Sequence, residues 1–259
     1  MPYSCCAEPS GGQSLSPRLD SSLPSTGDRN RVKVLDRSNI GVPAPTWAVL
    51  ELVLAAAIII AGLRGYVPIS STPYLLVVAV AFLWWRGPGW RAIGLRRPSN
   101  AVISVALGIA VGVCYQFLGL YLIEPLIARM TSGELPDVSA FRSLVGNEAL
   151  LAFWLTMTWT LAAFMEELVY RGWITNRLAE LWRFSTNGWI AGVLVSSALF
   201  GVVHLYQGAS GMIAAGLSGL VFGGVYIATG RNLWASILAH GFMDTAGFLM
   251  IYFGVYPGV

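Results

Sequence analysis

Apolar residues run along this chain in long blocks separated by short polar stretches. From Trp47 onward seven such blocks occur, at approximately 47–64, 73–86, 101–124, 148–170, 187–206, 209–229 and 232–254. A bilayer core about 30 Å thick is crossed by roughly 20 mostly apolar residues in a helix, so the blocks predict membrane-spanning helices. The second block is short and fits either a re-entrant element or a span extended by its flanks. The stretch 125–147 carries Glu134, Pro136, Asp137 and Arg142 and reads as an extramembrane loop with a short helix. An eighth element there would raise the count from seven to eight. Residues 1–46 are rich in Ser, Pro, Gly, Asp and Arg, lack apolar periodicity and read as a disordered tail. They have no apolar core behind a basic start, as a signal peptide would. The expected fold is all-α: a polytopic transmembrane helix bundle over 47–259, behind that tail.

Composition supports the membrane assignment. Of 259 residues, 56% are hydrophobic and 11% charged, where a soluble domain has roughly 25% charged residues. A net charge of +3 is too small for a nucleic-acid-binding surface. Its placement is more informative. Arg18, Arg29, Arg31, Lys33 and Arg37 lie in the tail; Arg86, Arg91, Arg96 and Arg97 follow block two; Arg171, Arg177 and Arg183 follow block four; Arg231 follows block six. Arg64, Arg129 and Arg142 fall on the other side. Basic loops stay cytoplasmic, which with seven spans predicts a cytoplasmic N-terminus and an outside C-terminus. No organellar signal is present, so a bacterial cytoplasmic membrane is the expected location. Cys5, Cys6 and Cys114 have no metal-binding spacing, and the first two read as free thiols. Gly211, Ala214, Ala215, Gly216, Gly219, Gly223 and Gly224 crowd block six, as close helix packing requires.

A charge at a helix centre is disfavoured by roughly 2.5–3.5 kcal/mol on insertion scales, so ionisable residues inside the blocks are functional candidates. Glu51 stands near a helix start, where snorkelling accounts for it. Glu124 abuts Pro125 at a helix end, where a structural role suffices. The others gather in the C-terminal half: Glu166, Glu167 and Arg171 in FMEELVYRGW, His204 in FGVVHL, His240 and Asp244 in LAHGFMD. Both histidines of the chain are in this set. Successive residues of an α-helix diverge by about 100°, so Glu166 and Glu167 face different ways. Glu167 and Arg171, four apart in acid-first order, stack on one face; they read as a structural pair that leaves Glu166 free to face a cavity. His240 and Asp244 share a face by the same spacing, and Phe200 stands one turn before His204. A carboxylate beside an imidazole can activate water, and a further donor can stabilise a tetrahedral oxyanion, which suits acyl-bond hydrolysis. Glu166, His204 and His240 also make a zinc ligand set. Residue types alone leave both readings open.

At these residues the sequence resembles the CPBP family of intramembrane proteases, also called the ABI or CAAX prenyl protease 2 family. The family pattern EExxxR, FxxxH and HxxxN or HxxxD is met by Glu166-Glu167-x-x-x-Arg171, Phe200-x-x-x-His204 and His240-x-x-x-Asp244. The words YRGW, SSALFGVVH, NLWASILAHG and GWRAIGLRRP are similar to the family as well. The resemblance covers residues 90–250 and implies a glutamate-dependent endopeptidase, with a core at about 145–250. Its substrate would be a membrane-embedded or lipidated protein or peptide, processed in CAAX or bacteriocin fashion. It implies that Glu166 and His204 activate the attacking water and that His240 and residue 244 support the oxyanion. Glu167 and Arg171 would support the site, with Phe200 packed beside His204. Asp244 stands where some members have Asn. An ionised carboxylate cannot donate a hydrogen bond, so Asp244 is read as accepting from His240 and orienting it. No HExxH helix is present, and no metal is expected.

Two other readings use these residues differently. Gly208-Ala209-Ser210-Gly211 matches the GxSG of rhomboid serine proteases, with His240 as partner to Ser210, but leaves Glu166, Glu167, Arg171 and His204 unused. Intramembrane Glu and His also build proton relays in transporters, although no symmetry between halves is evident. The protease reading carries a geometric demand. By the block limits, Glu166 lies near the cytoplasmic end of block four and His204 near the outer end of block five, a mismatch above ~15 Å at ~1.5 Å per residue. The expected resolution is a fourth helix running past Arg171 toward Leu181, with Arg171 neutralised by Glu167. Glu166, His204 and His240 would then converge in a water-filled cavity between the C-terminal helices.

Overall fold

The computed structural model describes residues 44–258 apart from 69, 88 and 132. Among them all regular structure is helical. The expected tail, with Cys5, Cys6 and its five basic residues, lies outside the described residues, except that residues 44–46 already belong to the first helix. Eight helices follow among the described residues: α1 (Ala44–Leu63), α2 (Thr72–Arg86), the short α3 (Gly89–Ala92), α4 (Ala101–Met130), α5 (Glu148–Leu181), α6 (Thr186–Val203), α7 (Gly208–Ala228) and α8 (Leu233–Tyr252). The chain marks four of these starts locally. Asn100, Asn147, Ser185 and Asn232 cap α4, α5, α6 and α8, each side chain accepting from a backbone N–H in the first turn.

Five helices, α1, α4, α5, α6 and the segment carrying α7, are long and apolar enough to cross a membrane. α2 has 15 residues, and α8 has 20 but holds His240 and Asp244. The chain is thus an integral membrane protein whose described residues are all-helical with five candidate spans, where the blocks predicted seven to eight.

α5 runs unbroken from Glu148 to Leu181, as the site's geometry demanded of block four. Three arginines counted as loop charges are therefore buried: Arg171 and Arg177 inside α5, and Arg86 at the end of α2. Glu51 departs from the snorkelling reading too. Its side chain is 1% exposed, because its carboxylate accepts from Arg86 and from Trp173 Nε1 at 2.6 Å, with Arg177 at 3.7 Å. Glu180 binds Arg86 at 2.7 Å and Arg177 at 2.6 Å. Two acids and two bases neutralise one another where α1, α2 and α5 meet.

α4 likewise continues through Glu124, so that residue is not at a helix end. Pro125 cannot donate to the ladder and crowds the preceding turn; a π-helical turn at Gly119–Ile123, just upstream, accommodates it. α4 packs along α8 through Gly112, where a Cβ would stand 2.3 Å from the Ala239 carbonyl oxygen. Gly94 fixes the other end of α8. It has φ +96°, a Cβ there would lie 2.3 Å from the Arg231 carbonyl, and its own carbonyl accepts from Leu233 N–H at 3.0 Å.

Candidate active site

From Thr158 to Ile174 most of α5 is widened into π-helical turns, whose i→i+5 bonding rotates the chain less per residue than the ~100° of an α-helix. The divergence expected of adjacent α-helical residues is reduced, and both carboxylates reach one imidazole. Glu167 Oε1 lies 3.0 Å from His240 Nδ1, and Glu166 Oε2 lies 4.0 Å from His240 Nε2. Asp244, one turn along α8, stands 3.5 Å from the same Nε2. The closer, orienting contact to His240 therefore falls to Glu167, not to Asp244. The Phe222 ring stacks on the imidazole with centroids 4.8 Å apart, and Phe200 meets it edge-on at 6.0 Å.

Arg171 Nη1 lies 2.9 Å from Glu167 Oε1, with neither side chain exposed, so the pair read from their spacing is present. The guanidinium lies over Phe200 at 4.6 Å and Phe222 at 5.5 Å. Ring faces thus take the place of water around a buried cation. The small residues of block six have a local reason here: a Cβ at Gly219 would lie 3.2 Å from Arg171 Nη2 and 3.0 Å from Ser197 Cβ.

His204 terminates α6, three residues earlier than the block predicted. The last carbonyls of a helix lack intrahelical donors, and His204 supplies one: Nδ1 is 2.7 Å from the Phe200 carbonyl. A carbonyl only accepts, so Nδ1 carries the proton and Nε2 keeps a lone pair. Phe200 packs against His204 with centroids 4.6 Å apart.

Glu166, Phe200, His204, His240 and Asp244 line one cavity of about 560 Å³. Glu166 and His204, set on separate helices, thus open into the same cavity. Glu167 and Arg171 lie behind the wall, fully buried. Ser210 is not part of the site. It is 2% exposed, its hydroxyl donates to the Glu134 carbonyl and lies 3.1 Å from Thr131 Oγ1, and neither histidine is among its partners. Among the described residues no three His, Cys, Asp or Glu side chains are grouped to hold a metal.

Phe222, which the sequence argument passed over, is the one aromatic between glycines in block six (GLVFGG), and that isolation was its only signal. Glu124 was noticed but set aside for its neighbouring proline; it lines the same cavity.

No curated protein and no solved structure matches the chain. Residues 148–246 match a family model described as type II CAAX prenyl endopeptidase Rce1-like. That span begins where α5 begins and ends two residues past Asp244, so it holds Glu166, Glu167, Arg171, Phe200, His204, Phe222, His240 and Asp244, but not Glu124. Residues 148–246 of this membrane protein are thus similar to the Rce1-like family of type II CAAX prenyl endopeptidases.

Proposed function

We propose that this protein is an intramembrane endopeptidase that hydrolyses a peptide bond of a lipidated or membrane-embedded substrate. The observation that carries the reading is the single cavity lined by Glu166, His204 and His240 inside a helical membrane bundle. In the proposed step Glu166 takes a proton from water, with the free Nε2 of His204 as second acceptor, and the water oxygen bonds to the scissile carbonyl carbon. His240 in its doubly protonated form donates Nδ1–H to Glu167 and turns Nε2–H toward the cavity, where the oxyanion forms. The proton held by Glu166 then passes to the leaving amine as the C–N bond breaks. Glu167 and Arg171 position His240 without touching substrate, and Asp244 shapes the polar wall. The step uses no metal. An apolar wall of Trp154 stacked on Phe248, with Phe141 edge-on to both, suits a hydrophobic or lipidated substrate.

In this reading α2 and α8 also cross the bilayer, giving seven spans with a cytoplasmic N-terminus. The support is that the loops carrying Arg96 and Arg231 meet the first turn of α6 at one end of the bundle: Arg96 donates to the Gly230 carbonyl, and Arg231 lies over Trp189.

The test uses purified protein in liposomes and a farnesylated peptide ending in Cys-aliphatic-aliphatic-X. Mass spectrometry is expected to find the released tripeptide with the wild type, also in the presence of a chelator, and none with Glu166→Gln. Proton-dependent ion flux without any cleavage would overturn the peptidase reading in favour of transport.

A further inference from the structure

The cavity has a second polar end that the proposed chemistry does not use. Glu124 lines it from α4. The other acids buried within the bundle each have a cationic or imidazole neighbour: Glu51 and Glu180 have Arg86, Glu167 has Arg171, and Glu166 and Asp244 have His240. Among the described residues Glu124 has no such partner and no side-chain hydrogen bond. Its surroundings are polar on one side. Gln116 faces the cavity one helical stretch earlier and lies against Gly247 of α8, where a Cβ would meet its amide at 3.5 Å. Tyr256, beyond the end of α8, lines the same cavity as Gln116. Burial first, and then the Glu124 carboxylate, hold the Tyr256 phenol well above its ordinary pKa, so it remains a neutral hydroxyl.

The distance from the reacting groups follows from helix register. Gly108 meets Leu238, Gly112 meets Ala239 and Met243, and Gly247 meets Gln116, so α4 and α8 run parallel and in step. The Glu124 carboxylate folds back along α4, with Oε1 3.9 Å from where a Cβ at Gly119 would stand, seven residues past Gly112 and roughly 10 Å further along at ~1.5 Å per residue. An extended peptide advances ~3.3 Å per residue, so the gap corresponds to about three substrate residues.

We propose that Glu124, with Gln116 and Tyr256, is a specificity subsite that receives a lysine or arginine side chain of the substrate. The basic residue sits about three positions from the scissile bond, by the helical rise just given. The ammonium or guanidinium pairs with the carboxylate, and the amide and phenol oxygens accept its remaining hydrogens. This rests on the peptidase reading above. None of the residues after the cysteine of a CAAX sequence is basic, so in such a substrate the basic residue lies on the amino side.

The test separates the two claims. Full-length Glu166→Gln protein in nanodiscs of uncharged lipid is titrated with two farnesylated peptides that differ only in Lys or Gln at the second to fourth positions before the scissile bond. The Lys peptide is expected to bind about tenfold more tightly, as one charge-assisted contact provides. That preference vanishes with Glu124→Gln added, and Glu124→Lys instead prefers a peptide with Glu at those positions. Equal binding, no binding, or a preference that survives Glu124→Gln overturns the subsite. Cleavage of the same peptides by protein with Glu166 intact is read separately. Cleavage without a Lys preference defeats the subsite alone; a Lys preference in binding without cleavage defeats the peptidase reading alone.

Discussion

Glu167 Oε1 is shared between His240 Nδ1 at 3.0 Å and Arg171 Nη1 at 2.9 Å, while Glu166 faces the cavity with a side chain 17% exposed. Two adjacent carboxylates of the same type should therefore fail in different ways. Glu166→Gln removes the proposed base and leaves packing intact, so cleavage falls by about 10²–10⁴-fold while thermal unfolding in detergent is unchanged. Glu167→Gln strips the charge from a buried ion pair and leaves Arg171 uncompensated, which costs about 3–5 kcal/mol. Its unfolding transition should drop sharply, with activity lost as a consequence. Equal stability of the two variants would contradict the division of roles.

Helix α5 and the α6–α7 contact carry the site at the next scale. The continuity of α5 to Leu181 was legible, because Glu166 and His204 could meet no other way. Its π-helical stretch was not, since apolar periodicity reports a buried face and not a local change of hydrogen-bond step. The pairing of Glu167 with Arg171 and of Phe200 with His204 followed from spacing within one helix. The contact of Glu167 with His240 bridges two helices 73 residues apart and left no local pattern. Block six was read as generically small, and the structure divides it. Gly219 is pressed against Ser197 and Arg171, whereas Gly224 has nothing within 4 Å of an added Cβ. Gly219→Val should destabilise by about 1–3 kcal/mol through overpacking and displace Arg171, abolishing cleavage. Gly224→Ala should keep activity and gain up to about 1 kcal/mol of helix stability. Denaturant unfolding of both, with cleavage assays alongside, checks the contrast.

Over the whole molecule, the neutral cluster of Glu51, Arg86, Arg177 and Glu180 ties α1 and α2, which lie outside the segment that matches the family model, to α5 within it. Glu51 looked like a surface charge because a single acid near a helix start carries no trace of partners 35 and 122 residues away. Glu51→Ala leaves two buried arginines short of a counter-charge and should cost about 3–5 kcal/mol, with Trp173 fluorescence reporting the loosened junction. Wild-type stability in that variant would mean that α1 is dispensable to the bundle. The central claim, that the bundle exists to bring Glu166, His204 and His240 to a membrane-embedded peptide bond, is tested most directly in cells. Protein termini are compared between cells making wild type and cells making Glu166→Gln at equal levels. The account predicts at least one new terminus, on a membrane-associated protein, that is present with the wild type and missing with the variant. Identical sets of termini would contradict it.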